Sequence, residues 1–216
     1  MTRHEFDAVI FDMDGVITRT ASLHAHAWKQ TFDEFFARRE ALGGESHAPF
    51  DIEADYLKYV DGKPRHEGVR SFLGARGFAL PDGDPTDGPE VATVHGVGGR
   101  KDALFMGRMR RDGVEVFAST IELIRVLRER RVKTAVQTSS RNGREVLRAA
   151  GIEDLFDLRL DGLDAEALGL QGKPHPDPFL KCAESLGVPP GRTVVVEDAV
   201  SGVQAAGAAA SVSWSA

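Results

Sequence analysis

The sequence predicts an α/β protein with a Rossmann-like parallel-sheet core and an inserted all-helical domain. Its 216 residues are enough for one sizeable core plus a small second domain. The first apolar run, residues 8–11, is short and continuous and is followed by Asp and Gly, which is typical of a buried strand. From residue 113 on, similar runs alternate with amphipathic segments, whereas the stretch in between carries helical patterns.

The C-terminal half alternates between strand and helix patterns. Residues 119–131 have helical spacing, and the next segment, "VKTAVQTSS", predicts a strand that ends in hydroxyl groups. Helices are then expected over 143–151, 177–187 and 199–210, a weak strand over 156–160 and a strand over 192–198. This alternation predicts a parallel sheet with right-handed crossovers, in which ligands bind beyond the carboxyl ends of the strands.

The inserted helical domain is expected to span residues 20–112, so that residues 1–19 and 113–216 form the core. Its first helix, over about 21–41, has one broad apolar face formed by Leu23, Trp28, Phe32, Phe35 and Phe36. The pair Gly43 and Gly44 ends this helix. Further helices are expected over 51–60, 67–77 and 100–113, with a loop over 80–90. The glycine-rich stretch "HGVGGRK" follows a loop and not a strand, so it predicts a flexible turn and not a dinucleotide-binding motif.

Composition excludes several classes of function. The net charge of −6 argues against a general nucleic-acid binder, because such proteins carry a basic surface. The single Cys182 cannot form an internal disulfide, which fits a reducing compartment. There is neither a signal peptide pattern nor an apolar run near the roughly 18 residues that a membrane span needs. We therefore expect a cytoplasmic protein that has no nucleic-acid or membrane partner.

Polar residues cluster where the predicted strands end. Four groups occupy such positions: Asp12 with Asp14, Thr138 with Ser139 and Ser140, Lys173, and Glu197 with Asp198. Carboxylates that converge repel one another unless a cation neutralises them, and Mg²⁺ prefers a set of oxygen ligands. The hydroxyl groups and the lysine would add donors for a phosphoryl group. The four groups together therefore predict a phosphoryl-transfer site.

The acids at the first strand suggest a covalent route. A carboxylate such as Asp12 can attack phosphorus to form an aspartyl-phosphate. Asp14 lies on the same turn and can donate a proton to the leaving oxygen, which is typically worth ~10²–10⁴ in rate.

The motifs "FDMDGVITRT", the hydroxyl-bearing strand end, "GKPHPDPF" and "VVEDAVSGV" resemble, in order and spacing, the four signatures of the haloacid dehalogenase superfamily. The resemblance covers nearly the whole chain. It implies that Asp12 is the nucleophile, that Asp14 is the acid/base and that Thr138 and Lys173 bind phosphate. It also implies that Mg²⁺ is held by Asp12, the main-chain carbonyl of Asp14, Glu197 and Asp198.

Within this superfamily the chain is most similar to the β-phosphoglucomutase-like family with a helical cap, through "TRTASLHAHAWK", "VDGKPRHEGVRSFL", "GGRKD", "TSSRNG" and "GKPHPDPF". This resemblance implies a phosphorylated sugar as substrate, with binding residues from both domains: His24, Trp28, Gly62, Arg65, Ser140, Asn142 and a further possible contact at Arg141. Asp61 departs from the family, which has lysine there, and Lys101 could supply the missing charge. The ending "SVSWSA" also departs, so the final strand is expected to be missing or replaced, leaving an exposed sheet edge.

Each residue also has a simpler structural interpretation. Thr138 could be a helix N-cap, Lys173 a solvated loop residue, and Glu197 with Asp198 a helix cap. Of the insertion residues, His24 could be an ordinary half-buried side chain, Trp28 a core residue, and Arg65 a solvated helix start.

Four functions stay open at this level. The first is a monomeric phosphomutase that moves phosphate between C1 and C6 of a β-glucose phosphate through a bisphosphate intermediate. The second is a small-molecule phosphatase with the same core chemistry. The third is a phosphoacceptor signalling domain, against which the helical insertion argues. The fourth is an inactive binding remnant with a truncated C-terminus.

Overall fold

A computed structural model describes residues 5–210, which contain four strands and eight α-helices. In chain order these are β1 (Ala8–Asp12), α1 (Ala21–Ala41), α2 (Arg65–Ala75), α3 (Val94–Asp112), α4 (Ala118–Glu129), β2 (Lys133–Gln137), α5 (Gly143–Ala149), β3 (Leu158–Leu160), α6 (Gly162–Ala167), α7 (Asp177–Leu186), β4 (Thr193–Val196) and α8 (Val200–Ala210). One helix turn of π type, Tyr56–Val60, and two short 3₁₀ turns, Glu153–Leu155 and Pro190–Arg192, lie between them.

The chain forms two compact units. The first contains the described residues up to Thr20, the short segment Gly62–Pro64, and the chain from Val114 on. The second contains Ala21–Asp61 and Arg65–Gly113.

The first unit is built on a four-stranded parallel sheet in the order β3-β2-β1-β4. All five residues of β1 are buried, because β1 is central and is covered on both faces. One face packs on α7 and α8, through a cluster that includes Ile10, Ala135, Leu160 and Phe179. This architecture confirms the predicted fold class.

The sheet register aligns the strand ends. Asp12 pairs with Gln137 of β2, Gln137 pairs with Leu160 of β3, and Phe11 pairs with Val196 of β4. The next residues of each chain segment therefore leave the sheet at one common edge.

The second unit is helical and has an aromatic core. Trp28, Phe32, Phe35 and Phe36 of α1 repeat at helical spacing and are all buried. Phe32 stacks on Trp28 with ring centroids 5.1 Å apart and contacts Phe72 of α2 at 4.3 Å. Such aromatic pairs contribute about 0.5–1.5 kcal/mol beyond the area they bury.

The prediction of a flexible turn at "HGVGGRK" is wrong, because these residues form the first turns of α3. Thr93 is the N-cap, and its hydroxyl accepts a hydrogen bond of 3.0 Å from Gly96 N–H. A Cβ on Gly98 would lie 3.0 Å from the Cδ2 atom of His66 on α2. Gly98 therefore allows close packing of two helices.

Two other expectations also differ from the structure. The helix expected over 51–60 is shorter in the structure, where Ala54 and Asp55 are helical and lead into the π turn Tyr56–Val60. Asp51 precedes it, and its Oδ1 accepts hydrogen bonds from Glu53 N–H and Ala54 N–H. The six-residue α6 was not predicted, because it has no apolar periodicity long enough to signal a helix.

The predicted loss of a final strand concerns residues 211–216, which lie outside the described part of the chain. Within residues 5–210, β4 lies at one end of the sheet, and Val194 on this strand is 38% exposed. Over the same residues, no helix combines the length and apolar character required to cross a bilayer.

Candidate active site

The turn after β1 presents two acids at the carboxyl edge of the sheet. Asp12 is the last residue of β1 and is buried, and Asp14 follows on a tight turn. Gly15 N–H donates to the Thr18 carbonyl at 2.8 Å, and Thr18 N–H donates to the Met13 carbonyl at 2.9 Å. Gly15 adopts a φ of +94°, which favours glycine. The turn thus fixes both carboxylates relative to the sheet.

Asp14 is held by hydroxyl groups from two parts of the first unit. Thr20 Oγ1 donates to Asp14 Oδ1, and Thr138 Oγ1 donates to Asp14 Oδ2 at 3.1 Å. Thr18 lies within 2.6 Å of the Thr20 hydroxyl and donates to the Met13 carbonyl at 3.0 Å. Sequence reasoning missed Thr20, although the hydroxyl that closes the quoted "TRT" was the available signal. These bonds orient the Asp14 carboxylate.

Lys173 is buried between two acids. Its Nζ donates to Asp12 Oδ1 at 2.6 Å and to Glu197 Oε2 at 3.0 Å, and the lysine side chain is 0% exposed. Burial alone would lower the pKa of the Lys173 ammonium, but Asp12 and Glu197 together outweigh it and raise the pKa. Lys173 is therefore a charged residue inside the site, and the structure does not place it in a solvated loop.

Asp12, Glu197 and Asp198 form the acidic cluster of the described residues. They offer one carboxylate oxygen each within 4.8 Å of the others. Burial raises the pKa of Asp12 well above its usual range, against the opposing effect of Lys173. Burial also raises the pKa values of Glu197 and Asp198, although Asp198 is exposed and solvent screens its charge. Three ionised acids at this distance are unfavourable unless a cation joins them.

The donor set suits a hard divalent cation. It consists of carboxylate oxygens, which Mg²⁺ prefers. Glu197 Oε1 is buried and has no hydrogen-bond partner, so one oxygen of the cluster is available for a ligand. The carboxylate of Asp14 is not part of this cluster, and the resemblance assigned only its main-chain carbonyl to the metal.

The loop after β2 carries the predicted phosphate ligands. Ser140 N–H donates to Thr138 Oγ1 at 3.0 Å, and Asn142 N–H donates to Ser140 Oγ at 3.2 Å. Ser139 Oγ donates to the carbonyl of Gly62, which belongs to the same unit. The N-cap of α5 is Asn142, without a side-chain capping bond, so Thr138 is not a helix cap.

Gly15→Ala tests how closely the turn and the acidic cluster fit. A Cβ on Gly15 would lie 2.0 Å from Asp198 Oδ2, so we expect Asp198 to be displaced and Mg²⁺ affinity to fall about 10–100-fold, the range for a lost supporting contact. Thermal unfolding during a Mg²⁺ titration measures this. Gly151→Ala is the matched control, since it shares a positive φ but has nothing within 4 Å. Equal Mg²⁺ midpoints for the two variants would contradict the expectation.

The remaining predicted residues lie in the second unit. Lys101 Nζ is 2.5 Å from His24 Nδ1, and His24 stacks on Phe105 with centroids 4.0 Å apart. Both His24 and Lys101 are buried. Trp28 is 3% exposed and belongs to the aromatic core, which favours its structural interpretation. Arg65 pairs with Asp102 at 2.6 Å, a partner that sequence reasoning missed.

Comparisons with known proteins identify the family. The family model for haloacid dehalogenase-like hydrolases matches residues 6–210. A β-phosphoglucomutase from Mycobacterium bovis is 45% identical over 198 residues, which cover 92% of this chain and 76% of that protein. A phosphorylated carbohydrates phosphatase from Thermotoga maritima is 28% identical over 93% of this chain and 80% of its own length.

The fold comparison agrees. The crystal structure of a β-phosphoglucomutase from Clostridium difficile superposes with a TM-score of 0.72 and 25% identity, covering 95% of this chain and 82% of that one. With the family model matching almost the whole described chain, the protein belongs to the haloacid dehalogenase-like hydrolase family.

Proposed function

We propose that the protein is a Mg²⁺-dependent phosphomutase that converts β-glucose 1-phosphate to glucose 6-phosphate through an aspartyl-phosphate on Asp12. The observation that carries this proposal is the buried group of Asp12, Lys173 and Glu197 at the sheet edge. The choice of sugar rests on the 45% identity to the mycobacterial β-phosphoglucomutase.

An Asp12 carboxylate oxygen attacks the C1 phosphorus of β-glucose 1,6-bisphosphate, and the bond from that phosphorus to the sugar oxygen breaks. Asp14 donates a proton to the leaving oxygen, which gives glucose 6-phosphate. Asp14 then takes the proton of the C6 hydroxyl of β-glucose 1-phosphate. That oxygen attacks the aspartyl-phosphate, which regenerates the bisphosphate and releases Asp12 as a carboxylate.

Charge neutralisation around Asp12 supports this assignment. Lys173 donates to Asp12 Oδ1 at 2.6 Å, so the ammonium is placed to stabilise the nucleophile and, later, the phosphoryl oxygens. Asp12, Glu197, Asp198 and the Asp14 carbonyl would hold the Mg²⁺ ion. When bound, Mg²⁺ supplies Lewis-acid neutralisation of the phosphoryl charge and offsets the repulsion among the acids.

The Asp14 contacts suit a proton carrier. Thr20 and Thr138 donate to its two oxygens, which fixes the direction of the carboxyl group. Thr138 is therefore placed beside the acid/base and can also donate to the transferred phosphoryl group.

We propose substrate contacts for the residues that the resemblance implies. Ser140 and Asn142 would bind the phosphate that does not react, with Arg141 as a further contact, and Gly62 and Arg65 would contact the substrate. His24 would line the sugar site, and the buried Lys101 would supply positive charge where Asp61 does not.

A product assay tests the proposal. We expect β-glucose 1-phosphate, with a trace of the 1,6-bisphosphate and Mg²⁺, to give glucose 6-phosphate in excess of free phosphate. The same reaction with α-glucose 1-phosphate is the control for anomer selectivity. Free phosphate as the main product would reject the mutase, because water would then discharge the aspartyl-phosphate.

A phosphatase for a small phosphorylated sugar is the second candidate. It is supported by the 28% identity to the Thermotoga phosphatase and by the aspartate that replaces lysine at position 61. Its core chemistry is the same, so the product assay separates the two. An inactive binding remnant would turn over neither substrate, and monomeric state and cytoplasmic location stay predictions.

A further inference from the structure

We infer that Arg159 and Asp161 are positioning residues that hold the Ser139–Ser140–Arg141 segment in place for the non-reacting phosphate of the substrate. This inference rests on the proposed function, because it assigns the support of a subsite that the proposed reaction uses. Neither residue is proposed to touch the substrate.

Asp161 is the centre of a buried polar network where β3 ends. It is 2% exposed, and its Oδ1 accepts hydrogen bonds from Leu163 N–H at 2.9 Å and Asp164 N–H at 3.1 Å. Asp164 returns the bond by accepting from Asp161 N–H at 3.0 Å, which completes a capping box. The start of α6 is thereby fixed to the end of β3.

Arg159, on β3, pairs with both acids of this network. Its Nη1 contacts Asp161 Oδ2 and also donates to Asp164 Oδ2 at 2.7 Å. The Arg159 side chain is only 17% exposed, so it pairs two acids in a partly buried setting. An uncompensated negative charge at Asp161 would repel a phosphate bound nearby, and Arg159 offsets part of this charge.

Gly162 connects the network to the phosphate loop. Its N–H donates to the Ser140 carbonyl at 2.9 Å. A Cβ on Gly162 would lie 2.7 Å from the Ser139 carbonyl oxygen and 3.1 Å from Arg141 N. The backbone of α6 therefore packs directly against residues 139–141, and a methyl group there must move one of the two.

A second set of contacts ties the same elements together. A Cβ on Gly143 would lie 2.8 Å from Asp161 Cβ and 3.0 Å from Thr138 Cγ2. Arg141 Nη1 donates to Glu166 Oε2 of α6 at 2.5 Å. The loop is thus held against Asp161 at one end and α6 at the other.

The test compares two phosphoryl donors. β-Glucose 1,6-bisphosphate carries a second phosphate, whereas p-nitrophenyl phosphate has only the phosphoryl group that Asp12 attacks. For Gly162→Ala and Arg159→Met we expect KM for the bisphosphate to rise at least tenfold, with kcat/KM for p-nitrophenyl phosphate changing less than threefold. Arg159→Lys keeps the charge and should recover part of the loss in KM.

Gly191→Ala is the matched control for Gly162→Ala, because nothing lies within 4 Å of a Cβ at Gly191. Equal losses on both donors, or an unchanged KM for the bisphosphate, would overturn the inference and leave the proposed function standing. A wild-type protein that transfers phosphate from neither donor would instead overturn the proposed function, and this inference with it.

Discussion

Asp12→Asn is expected to abolish phosphoryl transfer, with a loss of at least about 10⁴-fold in kcat, because an amide cannot form the acyl-phosphate bond. The substitution is nearly isosteric, so the buried position at the end of β1 keeps its shape. Lys173 would lose one anionic partner and retain Glu197 at 3.0 Å. Steady-state turnover of p-nitrophenyl phosphate with Mg²⁺ measures the loss, and trapping of ³²P on the protein reports the intermediate directly.

The matched control is Asp154→Asn, which replaces an exposed acid of the same unit. It should retain wild-type turnover. Circular dichroism and thermal unfolding establish that Asp12→Asn is folded. A folded Asp12→Asn protein that keeps more than a tenth of wild-type activity would show that phosphorus is not attacked by Asp12.

Asp198→Asn is expected to lower activity but to raise stability in the absence of Mg²⁺. Removing one proposed Mg²⁺ ligand is expected to reduce kcat/KM by about 10²–10³-fold, since metal neutralisation is worth several kcal/mol. Without Mg²⁺, however, the variant should be more stable than the wild type, by about 1–3 °C in Tm at pH 7.5. It removes a negative charge that the neighbouring acids repel.

The expected gain in stability without Mg²⁺ follows from the direction in which the pKa values of the three acids shift on folding. Burial raises the pKa values of Asp12, Glu197 and Asp198 in the folded state above those of the unfolded chain. The folded protein therefore binds more protons, and the contribution of these acids to stability is lost as pH rises from the unfolded pKa through the folded pKa. Metal-free wild type should accordingly lose stability between mildly acidic and neutral pH.

We expect Mg²⁺ to reverse this loss of stability in the wild type. At 100 times Kd, a bound ion contributes about 2.7 kcal/mol, which corresponds to a rise in Tm of roughly 5–10 °C for a chain of this size. Asp198→Asn should show a much smaller rise. Scanning calorimetry with EDTA and with Mg²⁺ measures both effects, and identical Mg²⁺-induced shifts in the two proteins would exclude Asp198 as a ligand.

The sheet and the residues at its edge were predictable because they depend on short-range signals. An apolar run followed by acids identifies both β1 and Asp12, and the same logic locates Thr138 and Asp198 after their strands. In a parallel sheet these ends share one edge, so the pattern along the chain indicates proximity in space.

The contacts that support the candidate site could not be predicted from the sequence, because the elements that carry them are short or depend on packing between helices. Asp161 and Gly162 follow a strand of three residues and start a helix of six, both too short for a periodic signal. The glycines at the start of α3 looked like a loop because glycine has a low helix propensity. In the structure Gly98 is helical and lies close to His66 of the neighbouring helix. A contact between two helices leaves no pattern in the local sequence, so it could not be predicted.

Because β1 pairs with β4, the candidate active site is complete only after these two strands have paired. Phe11 aligns with Val196, so Asp12 near the start of the chain meets Glu197 and Asp198 only after the intervening polypeptide has closed a very long loop. Such nonlocal pairing is slow to form. Turnover can consequently serve as a late reporter in refolding experiments, and we expect no phosphoryl transfer by a nascent chain before β4 emerges.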